Sequence, residues 1–422
     1  MKDHPLRTTI NDELHARPHL RLTAPALLSH VVLMAEEGET ERDRRQFADL
    51  CREHGAVPPP EGSRHHVVPL LGRLVRWERH GEFRAITALA DAASDLDSSQ
   101  WSAFTPPLTH WIELLGDERL TAVHLRILPG VATAPPADAF AGEVVGSTVG
   151  DGDGVVFADF RIRDDGFTRM LLYAHRLTPG RLGRMAQRLL EIETYRMAAL
   201  LGLPPARAAI PRLSAFERRL DAIVSATSAS AEDDALLLDR LTALAAEAEA
   251  LAAANRFRFA ATEAYGALVA NRITELHEGR VEGLQQLGTF LERRFQPGLR
   301  TCAAVARRER TLLDGLNRAA GMLRTRVEVR LAAQNRDLLR AMDRRARLQL
   351  RLSQAVEGLS IFAITYYAVS LLKLAVEGLP GLRVLPEPMD EVLVALAVPL
   401  VGGAVWMSVR RLRNRLRSAE PD

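Results

Sequence analysis

Residues 392–409 contain no charged side chain across 18 positions, and Arg410, Arg411, Arg413, Arg415 and Arg417 follow directly. That pattern is the signature of a transmembrane helix with a basic stop, because about 20 apolar residues span a bilayer's hydrocarbon core. Pro399, Gly402 and Gly403 within the run suit lipid, where a neighbouring helix can approach closely. An earlier run is shorter, with 15 uncharged residues between Glu357 and Lys373. Lys373 can snorkel, and extending the run to Val376 makes it long enough to cross. The expectation is a two-helix transmembrane hairpin at 358–376 and 392–409, closed by a loop at 377–391 and a basic tail at 410–422. A helix buried in a soluble core is the alternative for the first run. Arginines precede the first span and follow the second, whereas the loop carries Glu377, Glu387, Asp390 and Glu391. This asymmetry puts both termini in the cytosol and the acidic loop outside a bacterial inner membrane.

The rest of the chain must fold in water. Its 422 residues exceed what one core usually supports, and 26% charged residues with 47% hydrophobic ones fit globular units. The opening MKDHPLRTTINDELHARP holds no apolar stretch, so no cleaved leader is expected and the first 350 or so residues stay cytosolic. Net charge is only +2, yet residues 300–351 hold fourteen arginines against five acids. Their place just before an apolar run favours anionic lipid headgroups. No interleaved aromatics point to single-stranded nucleic acid. Cys51 and Cys302 have neither zinc nor redox spacing, and both are expected to be buried and inert.

Between residues 27 and 173, short apolar runs punctuated by Gly and Pro read as strands at 27–34, 73–79, 83–89, 121–128, 155–162 and 168–173. A helix is expected at 41–53. The fold class is therefore α+β: a mixed α/β sheet domain at 1–178, a helical segment at 179–229, a long helical or coiled-coil stalk at 230–357, then the hairpin. Ser230 is the expected cap of the stalk's first helix. Leu237, Leu241, Leu244, Ala248 and Leu251 keep a heptad rhythm, the seam of a helix that packs on another. Pro297 interrupts the helical pattern. Beyond it, Leu316, Ala319, Leu323, Val327, Leu331, Leu338 and Met342 form one apolar stripe. A single helix over 298–372 would span about 110 Å, and its stripe would pack on the preceding helices or on other copies of the chain.

No nucleophile elbow, phosphate loop, dinucleotide fingerprint or zinc-protease helix occurs. The run Gly150–Gly154 alternates Gly and Asp but lacks the distal Glu of a calcium loop, so it reads as a hairpin turn. His15 and His19 are separated by Pro18, which disfavours the helix that would align them on a metal, and His65 and His66 point to opposite faces of any strand. The block Trp77, Glu78, Arg79, His80 through Phe83 mixes acid, base and imidazole; a structural ion pair at a sheet edge is preferred there over acid/base catalysis. No enzyme, cofactor or resident metal is expected. Glu357, Ser360, Ile364 and Tyr367 share one helical face at the entry to the first span, either lining a conduit or flanking the headgroups.

Several stretches resemble a known family, the bacterial membrane-anchored proteins of domain-of-unknown-function family 3422. They are HPLRTTINDELHARP at 4–18, with His4, His15, Arg17 and Pro18, RWERHGEF at 76–83, LLEIETYRMAALLGLP at 189–204, RTRVEV at 324–329 and MDRRARLQLRLSQAVEGLSIFAITYY at 342–367. The resemblance implies a membrane anchor and no particular activity. The plan also resembles that of CorA-type magnesium channels, whose Gly-Met-Asn signature is absent. Three functions stay open: a homo-oligomeric cation channel passing divalent ions, a membrane-anchored scaffold or ligand-binding protein, and an anchored enzyme. The expected partners are the bilayer and further copies of the chain, and nucleic acid is not among them.

Overall fold

The computed structural model describes residues 3–7, 11, 19–35, 38–91, 100–229, 233–378 and 387–417. They fall into two compact units, Met1–Leu323 and Arg324–Asp422.

The first unit is built on β1 (Ala26–Met34), whose sequence ALLSHVVLM is buried along all but its last residue. A strand covered on both faces needs such a near-continuous apolar run. Around it stand β2 (His65–Leu70), β3 (Arg73–Arg79), β4 (Phe83–Asp91), β5 (Arg119–Pro129), β6 (Val145–Val149), β7 (Gly154–Ala158), β8 (Thr168–Ala174) and the two-residue β9 (Gly279–Arg280). Their order is β2-β3-β4-β1-β5-β8-β7-β6-β9, a mixed sheet in which β5 and β8 run parallel and the other pairs antiparallel. Strand periodicity sorts the side chains. On one face Leu28, Val123, Leu125, Leu172 and Val156 meet the long helices α3 (Pro179–Leu200) and α5 (Asp234–Glu275) and the short α6 (Leu287–Arg294). On the other, Leu27, Val31, Val75, Trp77 and Ile86 meet α1 (Thr40–Glu53) and α2 (Pro106–Leu114).

The expected strands at 27–34, 73–79, 83–89, 121–128 and 168–173 are present. The one at 155–162 ends earlier, at Ala158. There the buried Asp159 carboxylate accepts from the backbone N–H of Ala141 and Arg161 at 3.1 and 3.2 Å, Phe160 takes a left-handed φ of 51°, and Ile162 is exposed. Strands β2, β6 and β9 were not anticipated. Pro69 sits in β2, where it is tolerated because that strand ends the sheet. Gly150, Asp151 and Gly152 all adopt positive φ in the tight turn between β6 and β7, as a hairpin reading requires. Asp153 beside them is held by Arg176 and Arg181, at 3.1 and 2.5 Å.

α4 (Leu203–Ala229) lies between α3 and α5 in sequence, and Asp233 caps α5 by accepting from the Ala235 N–H at 3.4 Å. The expected cap, Ser230, lies outside the described residues. Leu237, Leu241, Leu244, Ala248 and Leu251 are buried against Leu213, Phe216 and Ile223 of α4 and against Leu312, Leu316 and Leu323 of α7 (Gln296–Glu377). The apolar stripe of α7 is covered only that far. Leu331, Leu338 and Met342, in the second unit, are exposed. That unit also holds α8 (Glu387–Arg417).

Candidate functional site

The β3–β4 hairpin carries the most charge that this fold buries. Asp43 of α1 is inaccessible and bridges two guanidiniums, Arg79 at 2.7 Å and Arg84 at 2.9 Å. Arg84 also holds Asp117, and Arg79 donates to the carbonyls of Gly81 and Phe83 at 3.2 and 3.1 Å. A buried carboxylate is tolerable only when so compensated, and removing either partner strands a charge. Trp77 lies beneath, stacked on Phe47 at 5.7 Å.

On the opposite face, Arg76 and Glu78 form a buried pair at 3.1 Å, and His80 stacks on Phe83 at 4.4 Å. The ion pair expected at a sheet edge is therefore interior, since β3 is flanked by β2 and β4. Glu78 engages Arg76 through the period-two spacing of one strand face. His30 of β1 completes this seam. Its Nε2 lies 3.1 Å from Thr194 Oγ1 and its Nδ1 lies 2.8 Å from Thr87 Oγ1. Thr194 donates its own proton to the Leu190 carbonyl at 2.9 Å, so it accepts from Nε2–H, and Thr87 donates to Nδ1. Burial, then Arg76 and His80, lower the imidazole's pKa to about 3, which keeps it neutral. A second buried histidine, His124, bonds Ser29 at 2.7 Å and stacks on Phe167 at 3.9 Å; burial brings it to about 4.

At the turn of the β3–β4 hairpin lies a cleft of about 780 Å³. Its walls are the hairpin turn at Gly81 and Glu82, Glu39 and Arg42 from α1, Asp117 and Glu118, and Phe257, Arg258 and Tyr265 of α5. Arg258 holds Glu82 at 2.6 Å and Arg42 holds Glu39 at 2.6 Å. Tyr265 stacks on Tyr195 at 5.6 Å, and burial together with the Glu82 carboxylate pushes its phenol far up. Three of the four carboxylates are thus neutralised by guanidiniums, an arrangement that can bind a polar ligand. Among the described residues no three His, Cys, Asp or Glu side chains come together as a metal site.

Two sequence blocks converge here. RWERHGEF supplies Arg76, Glu78, Arg79, His80 and Glu82, and LLEIETYRMAALLGLP supplies Thr194 and Tyr195. His30, Asp43, Thr87, Arg84, Arg258 and Tyr265 were missed. The one available signal was a histidine inside the apolar run ALLSHVVLM, which has to be hydrogen-bonded if it is buried. Of the other singled-out residues, His4 is exposed and its Nδ1 accepts from the Leu6 N–H at 3.2 Å. His15, Arg17 and Pro18 lie outside the described residues. In the second unit Ser360 donates to the Val356 carbonyl at 2.8 Å, Glu357 is half-buried, and Ile364 and Tyr367 are exposed. Tyr367 meets Tyr366 edge-on at 5.8 Å. Arg410 lies over the Trp406 ring at 4.9 Å and Arg411 is exposed. Glu377, Glu387, Asp390, Glu391, Arg413, Arg415 and Arg417 have helical backbone, and their side chains lie outside the described residues.

Residues 2–416 match one family model, "Protein of unknown function (DUF3422)". The chain belongs to that family. No curated protein and no solved structure matches it, so the likeness to CorA-type channels has no structural relative behind it. In this DUF3422 member, Leu287–Ala375 includes an 18-residue window apolar enough to cross a membrane, and none of that window is buried.

Proposed function

We propose that this DUF3422 member is a membrane-anchored binding protein: α7 and α8 cross the inner membrane as a hairpin, and the sheet unit stays in the cytosol as a ligand-binding or scaffolding module. The observation that carries the reading is the unburied apolar window of α7, since a core helix of a soluble protein would have its apolar face covered. Leu359, Phe362, Leu371 and Leu400 are each at least two-thirds exposed. Transferring such side chains from water to an apolar phase is worth about 1.5–3 kcal/mol each. The hydroxyls in the window suit lipid too: Ser360 and Thr365 donate to the Val356 and Ile361 carbonyls of their own helix, at 2.8 and 2.7 Å. A Cβ placed on Gly402 of α8 would stand 3.5 Å from the Thr365 methyl of α7, the close approach that a small residue permits between spans. Basic residues at both ends of the hairpin fit anionic headgroups on the cytosolic side. For the binding role, the support is the cleft at Glu82, Arg258 and Tyr265.

The test is membrane fractionation with reporters. The chain is expected to resist extraction by alkaline carbonate, with reporters at Met1 and after Asp422 reading cytosolic and one inserted at Pro386 reading external. Release by carbonate, or a cytosolic signal at Pro386, rules out the hairpin.

A further inference from the structure

We propose that the groove between α5 and α7 in the first unit docks an amphipathic helix of a partner protein whose polar flank is acidic. The groove has a volume of about 800 Å³ and runs along α5 from Ala252 to Ala270 and along α7 from Gln296 to Leu313. At 1.5 Å per residue both walls are about 25 Å long, the length of a helix of four to five turns. Its floor is apolar and mostly small, with Phe259, Cys302, Ala303 and Ala306, so a third helix can come close to the backbone of α7.

Charge along the rim selects the occupant. Arg300, Arg307 and Arg310 stand on one face of α7, two turns and then one turn apart, all exposed. None of the three has a carboxylate within ion-pair distance among the described residues, whereas Arg308 on the same helix holds Glu217 at 2.5 Å. Two acids share the groove with them: Glu263, exposed on the α5 wall and in no ion pair with the three, and buried Glu309, which accepts from Asn255 Nδ2 at 2.7 Å and whose carboxyl group burial pushes up; with Arg256 the guanidiniums outnumber these acids two to one. The three guanidiniums are spread over about 15 Å of rim. That spacing fits acids repeated every turn or two along a helix and not the single headgroup of a fatty acid. Nor is there an exposed aromatic platform in the groove for nucleobases, as Phe259 is buried. These arginines belong to the first unit, whereas Arg351, Arg410 and Arg411 beside the proposed spans belong to the second.

The experiment uses the full-length chain in phosphatidylcholine nanodiscs, with empty discs as the blank. The probe is an 18-residue helical peptide carrying a Leu/Ala seam flanked by Glu, and its control replaces every Glu with Lys. Saturable binding of the Glu peptide is expected, at least tenfold tighter than the Lys peptide and weakened by added salt. Reversing all three charges, Arg300→Glu with Arg307→Glu and Arg310→Glu, should cost tenfold or more. Reversal of the exposed Arg207 and Arg293 should change nothing, and unchanged circular dichroism melts confirm folding. In parallel, a photo-crosslinking side chain at Ala303 in cells should join the chain to a protein whose crosslinked segment is an acidic amphipathic helix, and the triple reversal should abolish the adduct. The proposal fails if neither peptide binds, if both bind alike, if the triple variant binds normally, or if the only adduct joins two copies of this chain.

Discussion

With both ring nitrogens engaged, His30 ties β1 to β4 through Thr87 and to α3 through Thr194. Its pKa of about 3 in the folded chain lies below the ordinary 6.5, so the unfolded chain takes the proton first as pH falls. The stabilisation is therefore complete above about pH 6.5 and is lost progressively between there and about pH 3, on the order of 5 kcal/mol in all. Denaturant midpoints should fall between pH 7 and pH 5. In His30→Gln, which keeps a donor and an acceptor, the drop should be clearly smaller, with His124 contributing what slope persists; equal slopes in the two proteins would remove His30 from the account. The histidine was visible in sequence, but its partners were not, because Thr87 and Thr194 belong to other elements. The same holds for Asp43. Its neighbours on α1 gave no sign that Arg79 and Arg84, on the β3–β4 hairpin, would close over it.

Elements with long apolar repeats were legible, and short ones were not. Strand β1 and the heptad of α5 declare themselves over whole runs of side chains. β6 spells VGSTV and β9 is two residues long, so neither has a local period to read, and Gly146 of β6 lies against Phe157 and Leu284 from elsewhere in the chain. The proximity of Gly402 to Thr365 also bears on a conduit lined by Glu357. In an antiparallel hairpin with that register, Glu357 lies two turns before Thr365 and Arg410 two turns after Gly402, so the two share a level. Glu357→Gln and Arg410→Gln should each lower the detergent-solubilised melting temperature by a few degrees, and the swap Glu357→Arg with Arg410→Glu should recover most of the loss. Strictly additive single effects, with no recovery in the swap, would separate the two side chains. If cation flux in liposomes also fell with Glu357→Gln, the conduit would become the better account.

For the whole molecule, the division at Leu323 falls where the covered part of the α7 stripe ends. A chain terminated after Leu323 should be soluble without detergent and melt cooperatively, because its three main apolar clusters are complete within it. Aggregation of that shortened chain, or a melt without cooperativity, would show that the first unit depends on the C-terminal part of α7 or on α8. The sheet's two ends bear on how copies could meet. A terminal strand normally offers unpaired N–H and C=O groups to any other chain, including one still emerging from a ribosome. Here one end is β2, where Pro69 removes a donor, and the other is β9, whose two residues are too short to template a neighbour. Both ends therefore offer only a short or interrupted template for strand-by-strand growth, which makes the helix surfaces the better ground on which copies could assemble.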